Sequence, residues 1–144
     1  MSRAAAKLSK FMAFAKDLSD LSTCNRASIG ALICDVNFTE VLSIGYNGQP
    51  RGIDHSRCTG EQGQCGCIHA ETNAVIKLHA DVSDVMLLCT KSPCLMCAGL
   101  IINDGRIDQV IYLQEYRDRS GLMLLEEAGV FTYTLEAKVK RLNA

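Results

Sequence analysis

Between Ile68 and Cys97 the chain reads IHAETNAVIKLHADVSDVMLLCTKSPCLMC, and this stretch decides the fold. Ile68–His79 carries apolar residues at helical spacing, and Asp84–Thr90 is a continuous apolar run short enough to be a buried strand. Cys94–Asp104 reads as a second helix, stopped by Gly105 in the C-cap position. A helix, a buried strand and a helix in succession imply a right-handed crossover and a partly parallel sheet.

Outward from this unit the pattern continues. Downstream, Gln109–Leu113 reads as a strand, Gly121–Ala128 as a helix ended by Gly129, Phe131–Leu135 as a last strand, and a terminal helix starts at Glu136. Upstream, Leu8, Met12, Ala15 and Leu18 repeat every three or four residues within Ser2–Leu21, the mark of an amphipathic helix. Ser28–Asp35 and Val41–Tyr46 are rich in Ile, Val and Leu and flank the turn-like Asp35-Val36-Asn37, so they read as a hairpin. The expectation is an α/β fold, a mixed five-stranded sheet flanked by helices, in one domain over residues 1–144. Asn47–Cys67 fits no element: it holds five glycines and three cysteines. A structureless stretch of this length needs a function or a metal to order it.

Composition sets limits. The chain has 144 residues, 48% hydrophobic and 22% charged, enough to bury a core without staples. Its net charge of −1 offers no basic surface for long nucleic acids. No apolar run approaches the ~18 residues of a membrane span, and Met1–Lys10 lacks the apolar core of a secretion signal. Eight cysteines in such a chain read as metal ligands or core residues in a reducing, cytoplasmic setting rather than as a disulfide framework.

The chemistry is concentrated in His69-Ala70-Glu71 and Pro93-Cys94-Leu95-Met96-Cys97, each where a loop gives way to a helix. Cys94 and Cys97 lie one turn apart on one face, so both sulfurs reach a single ion. The positive end of the helix favours thiolate, the ligating form. With His69 from the other helix they make three ligands and leave a fourth tetrahedral corner open, the arrangement of a catalytic zinc. Glu71 is placed to carry protons rather than to ligate, first as base and then as acid. H-x-E followed by P-C-x-x-C is the signature of zinc deaminases acting on cytosine C4 or adenine C6.

On these residues the chain resembles the cytidine and deoxycytidylate deaminase superfamily, from about Cys24 to about Val130. Ile29-Gly30-Ala31-Leu32-Ile33 is similar to its first core strand, and the two motif segments to its zinc helices. Gly45-Tyr46-Asn47-Gly48-Gln49-Pro50 resembles the G-Y-N-G-x-P segment of the deoxycytidylate branch. The resemblance implies a three-layer cytidine-deaminase-like fold and hydrolysis of dCMP to dUMP and ammonia. It also implies a homo-oligomer, dimer to hexamer, with dCTP and dTTP as effectors at Gly45, Tyr46, Asn47 and Gly48. Substrate contacts fall on Asn47, Ala70, Ser92, Tyr116 and Arg26, with Arg51, Arg117 and Arg119 as weaker phosphate candidates. His79 is expected to cap its helix, and the Asn47-Gly48 pair has the alternative reading of a tight turn.

The same resemblance implies a second, structural zinc holding the polar loop, on Cys24, His55, Cys58 and Cys65, with Cys67 a fifth candidate. The family's adjacent His-Cys pair is missing, since Ser56 follows His55, and the choice among the five stays open. Cys34 and Cys89 lie in strands and read as core. Three other functions also stay open: deamination of another cytosine nucleotide (dCTP or a 5-modified dCMP), of free cytidine, and a structural zinc module for protein interaction. Such a module would need four closed ligands and no acid, which Glu71 argues against.

Overall fold

A computed structural model describes residues 1–144. Its elements run α1 (Arg3–Ser19), β1 (Gly30–Cys34), β2 (Val41–Tyr46), α2 (Ala70–Ile76), β3 (Val85–Lys91), α3 (Leu95–Asp104), β4 (Ile107–Gln114), α4 (Ser120–Glu127), β5 (Phe131–Thr134) and α5 (Leu135–Asn143), with a 3₁₀ turn at His55–Arg57. The sheet order is β2-β1-β3-β4-β5, with β1 antiparallel to both neighbours and β3, β4 and β5 parallel. This is the mixed five-stranded α/β sheet expected from the pattern.

Strand alternation divides the core in two. Ala31, Ile33, Leu87, Cys89 and Val110 face α2, α3 and α4, whereas Leu32, Cys34, Met86, Leu88 and Ile111 face α1, with α5 beside it. Cys34 and Cys89 are fully buried, as befits small apolar side chains. Gly105 ends α3 with φ 79°, in the left-handed region that a C-terminal glycine supplies. No helix is long and apolar enough to cross a membrane.

The α2 helix stops at Ile76, short of the expected His79. Leu78 folds inward to a buried position, and the Arg106 guanidinium donates to the carbonyls of Leu78 (3.4 Å) and His79 (2.7 Å). Arg106 thus satisfies carbonyls just beyond the end of the helix, which have no helical partner. His79 lies outside the helix and does not cap it.

Strand direction positions the site. Because β1 runs against β3, the start of β1 and the ends of β2, β3 and β4 lie at one edge of the sheet. The segments carrying Arg26, Asn47, Cys94 and Tyr116 leave the sheet at that edge. At the far edge, the Asp35 carboxylate closes the β1–β2 hairpin by accepting the Thr39 and Glu40 N–H groups (both 2.7 Å) and the Thr39 hydroxyl (2.6 Å).

A stability prediction follows from that turn. Partial burial would raise the Asp35 carboxyl, but the Thr39 hydroxyl and three backbone N–H groups outweigh it and hold it below its ordinary value. A depressed folded-state value means that the contribution is complete above the unfolded value near 3.9 and fades as pH falls through the folded one. Asp35→Ala is expected to cost about 1 kcal/mol at pH 7, the scale of hydrogen bonds at a partly exposed turn. Denaturant melts should show that difference shrinking below about pH 4; a pH-independent cost would mean that the charge plays no part.

Candidate active site and metal clusters

His69 and Cys94 occupy the N-cap positions of α2 and α3, both with extended backbone, and Cys97 sits in the first turn of α3. Their ligating atoms all lie within 4.8 Å of one another. His69 Nδ1 is 3.2 Å from Cys97 Sγ and 3.5 Å from Cys94 Sγ. Hydrogen bonds from Cys97 and His69 hold the Cys94 thiol down to about 3, while the Cys94 sulfur and burial push Cys97 far up. His69 is raised chiefly by its bond to Cys94. One imidazole and two sulfurs converging in this way make a donor set suited to zinc.

Glu71 lines the same inner cavity as His69 and Cys94 without joining the three-donor cluster. It is 4% exposed, and burial pushes its carboxyl up to about 7. A carboxyl of this kind can both take and give a proton near neutral pH.

The cavity opens into a cleft of about 350 Å³ bordered by Arg26, His69, Cys94 and Tyr116. Tyr116 is half-buried, with the Lys91 ammonium 4.8 Å above its ring, and burial raises its phenol despite the pull of Arg26. The Arg26 Nε is the one buried side-chain nitrogen or oxygen without a partner. Asn47 reaches the inner cavity while stapling the entry to β1: its Oδ1 accepts the Ile29 N–H at 2.9 Å and its Nδ2 donates to the Ala27 carbonyl at 2.8 Å.

Other sequence candidates lie behind the cleft wall. Ser92 is buried, and its Oγ accepts the Tyr116 N–H at 2.8 Å, so it holds Tyr116 in place. The Ala70 methyl is packed in the core. Arg51, Arg117 and Arg119 do not border the cleft, and Arg119 pairs with Glu115.

The Gly45–Gly48 segment is largely committed to packing. A Cβ at Gly45 would run into the Ala70 carbonyl and the Ala74 N–H, so glycine lets α2 approach β2. The Tyr46 carbonyl accepts from Asn73 at 2.9 Å. Asn47-Gly48 is not a left-handed turn: neither residue has positive φ, and Gly48 pairs with Ile68 as a β-bridge.

The polar loop is gathered by a second cluster, Cys24, Cys58, Cys65 and Cys67, whose sulfurs also lie within 4.8 Å of one another. Cys24 Sγ is 3.8 Å from Cys58 Sγ and 3.9 Å from Cys65 Sγ. This corrects the expected set in one member. His55 sits in the exposed 3₁₀ turn outside the group, and the fourth corner belongs to Cys67. The Asn25 N–H lowers the Cys58 thiol to about 7. Four converging thiols fit a closed tetrahedral zinc site.

Sequence reasoning missed Ile29 on the inner cavity and Gln62, Gly63, Met96 and Asp118 on the cleft. No motif marks them; the path of the loops brings them there.

Comparison with known proteins points one way. The family model for the cytidine and deoxycytidylate deaminase zinc-binding region matches residues 5–114. The chain is 32% identical to the deoxycytidylate deaminase of Saccharomyces cerevisiae over 148 residues, covering 91% of this chain and 46% of that protein. It is likewise 32% identical to that of Schizosaccharomyces pombe, covering 85% and 42%. It therefore spans a little under half the length of these relatives. A solved dCMP deaminase from the cyanophage S-TIM5, in complex with dCMP and dUMP, superposes with a TM-score of 0.78 at 30% identity, covering 93% of this chain and 98% of that one.

Proposed function

Because the chain belongs to the cytidine and deoxycytidylate deaminase zinc-binding family, we propose that it hydrolyses the 4-amino group of dCMP, giving dUMP and ammonia. The observation that carries this reading is the convergence of one imidazole and two thiols beside a buried glutamate, in a cleft that also holds an arginine. His69, Cys94 and Cys97 would hold the catalytic zinc, and Cys24, Cys58, Cys65 and Cys67 a structural one. Zinc in a three-ligand site supplies Lewis acidity, lowering the pKa of water from 15.7 to about 7.

The remaining chemistry falls to the chain. Glu71 takes a proton from the attacking water and delivers it to ring N3, then takes the second proton from the new C4 hydroxyl and gives it to the departing amine. Asn47 offers its remaining amide N–H to the sugar, and its two backbone bonds fix its orientation. Arg26 and Tyr116 form the phosphate end, where a guanidinium matches phosphate oxygens in a fork. The phage enzyme's complex with dCMP and dUMP supports the same substrate class.

The protein is read as cytoplasmic and homo-oligomeric, without long nucleic-acid partners. Assembly is supported by an apolar groove of about 670 Å³ between α3 and α4, lined by Leu95, Met96, Leu100, Ile102 and Leu124. Met96, 81% exposed, borders both that groove and the active-site cleft.

The test is ammonia release from deoxycytidine, cytidine and the mono-, di- and triphosphates of each. Turnover is expected with dCMP preferred; no ammonia from any cytosine nucleotide with the zinc-loaded protein would sink the reading. Repeating the assay with dCTP or dTTP added tests regulation. Arg26→Ala is expected to raise KM for dCMP by about 10- to 100-fold, the value of a charge-assisted hydrogen bond, and to leave deoxycytidine turnover unchanged. An equal loss on both substrates would remove Arg26 from the phosphate end.

A further inference from the structure

The four-cysteine cluster and the active-site cleft share no ligand, yet they are joined by the Cys24–Arg26 segment and by Cys67, which lies two residues before His69. The Asn25 N–H donates to Cys58 Sγ at 3.2 Å and the Arg26 N–H to Cys24 Sγ at 3.4 Å. The Asn25 side-chain amide adds a bond to the Cys58 carbonyl at 3.2 Å. Two backbone N–H bonds to cluster sulfurs and one side-chain bond to the Cys58 carbonyl thus tie the Cys24–Arg26 segment to the cluster. On the other side of that backbone, the Arg26 side chain borders both the inner cavity and the outer cleft, its Nε buried and without a partner. Gln62 and Gly63, from the loop between Cys58 and Cys65, border the same cleft.

An arginine side chain is long and loses rotamer freedom when it grips an anion; an anchored backbone reduces what must still be ordered. Four sulfurs hold one mutual geometry only while a cation binds them together. Released, they would no longer offer fixed acceptors to the Asn25 and Arg26 N–H groups. The catalytic donors are a separate set, His69 and Cys94 at the N-caps of α2 and α3 and Cys97 in the first turn of α3.

We infer that the four-cysteine cluster is a positioning device for the Arg26 guanidinium, so that its occupancy sets affinity for the 5′-phosphate of a nucleotide and leaves the reacting base untouched. The inference rests on the nucleotide and zinc readings given above and joins the second metal site to phosphate recognition. Arg26 touches the ligand; the cysteines act through it.

The test uses Cys58→Ser in the full chain, with zinc content, calorimetric binding of dUMP and of deoxyuridine, and dCMP kinetics. Zinc is expected to fall by the share held at the four thiols, and dUMP affinity by about 10-fold, part of what a charge-assisted phosphate contact supplies. Deoxyuridine affinity should not move. KM for dCMP should rise with dUMP dissociation, and kcat should change by less than about twofold. With Arg26→Ala already present, Cys58→Ser should add less than about twofold, because coupled residues are non-additive. Cys58→His, which keeps a zinc ligand, should restore dUMP affinity.

Equal losses for dUMP and deoxyuridine, or losses that multiply in the double variant, would overturn the inference. If Cys58→Ser does not fold, Cys65→Ser, at another of the four thiols, goes through the same cycle. A dUMP loss that vanishes without Arg26 supports the inference; one that persists, or no loss at all, overturns it. Failure of the underlying reading looks different, since wild-type protein would then bind dUMP no better than deoxyuridine.

Discussion

Glu71→Gln is expected to abolish deamination, with kcat falling by about 10²- to 10⁴-fold, the contribution of a positioned proton carrier. Glutamine keeps the length and shape of glutamate and fits the same buried position, but it can neither accept the water's proton nor pass one on. The side chain is 4% exposed and outside the three-donor cluster. Zinc content, melting temperature and dUMP affinity should therefore stay close to wild type. Ammonia release, metal analysis and calorimetry on one preparation separate these effects. Loss of zinc or of the fold would make the carboxylate structural and remove it from the chemistry.

Cys97→Ala is expected to empty the inner site while sparing the outer one. Cys97 Sγ is the nearer sulfur to His69 Nδ1, at 3.2 Å, and the side chain is 2% exposed, so the alanine variant leaves two of the three clustered donors. Without the ion, water returns to its ordinary pKa of 15.7, far from the value of about 7 that zinc confers. Turnover should drop by at least about 10⁴-fold, beyond the loss from removing the proton carrier alone. Zinc per chain should fall only by the share of one site, because the four thiols around the loop belong to a separate group. Full activity in a variant shown to lack the inner metal would refute the assignment of these ligands.

Much of this architecture is legible in the sequence because its signals are local. The strands are apolar runs between polar breaks, and the spacing of Cys94 and Cys97 at a helix start brings two donors together, with His69 marking the start of another helix. The clearest misreading among the elements is the end of α2. Apolar periodicity carries on through Leu78, but the chain leaves the helix after Ile76, and Arg106, far along the chain, binds the carbonyls of Leu78 and His79. The exchange of His55 for Cys67 has a similar cause: composition shows that the loop is rich in ligands, and only its path decides which four meet. Ser92 shows a third limit: no local signal marks the bond by which its hydroxyl accepts the Tyr116 N–H, 24 residues along the chain.

The crowding of Arg26, Asn47, Cys94 and Tyr116 at one edge of the sheet also bears on how such a chain tolerates changes in length. One added residue between Lys91 and Cys94 would displace a ligand relative to its partners. The Asp81–Ser83 connection, with Asp81 and Ser83 exposed and Val82 packed on the core, leads into the opposite end of β3 and carries none of these groups. Insertions, tags or grafted loops are best accommodated there, where extra chain projects into solvent without disturbing any catalytic spacing.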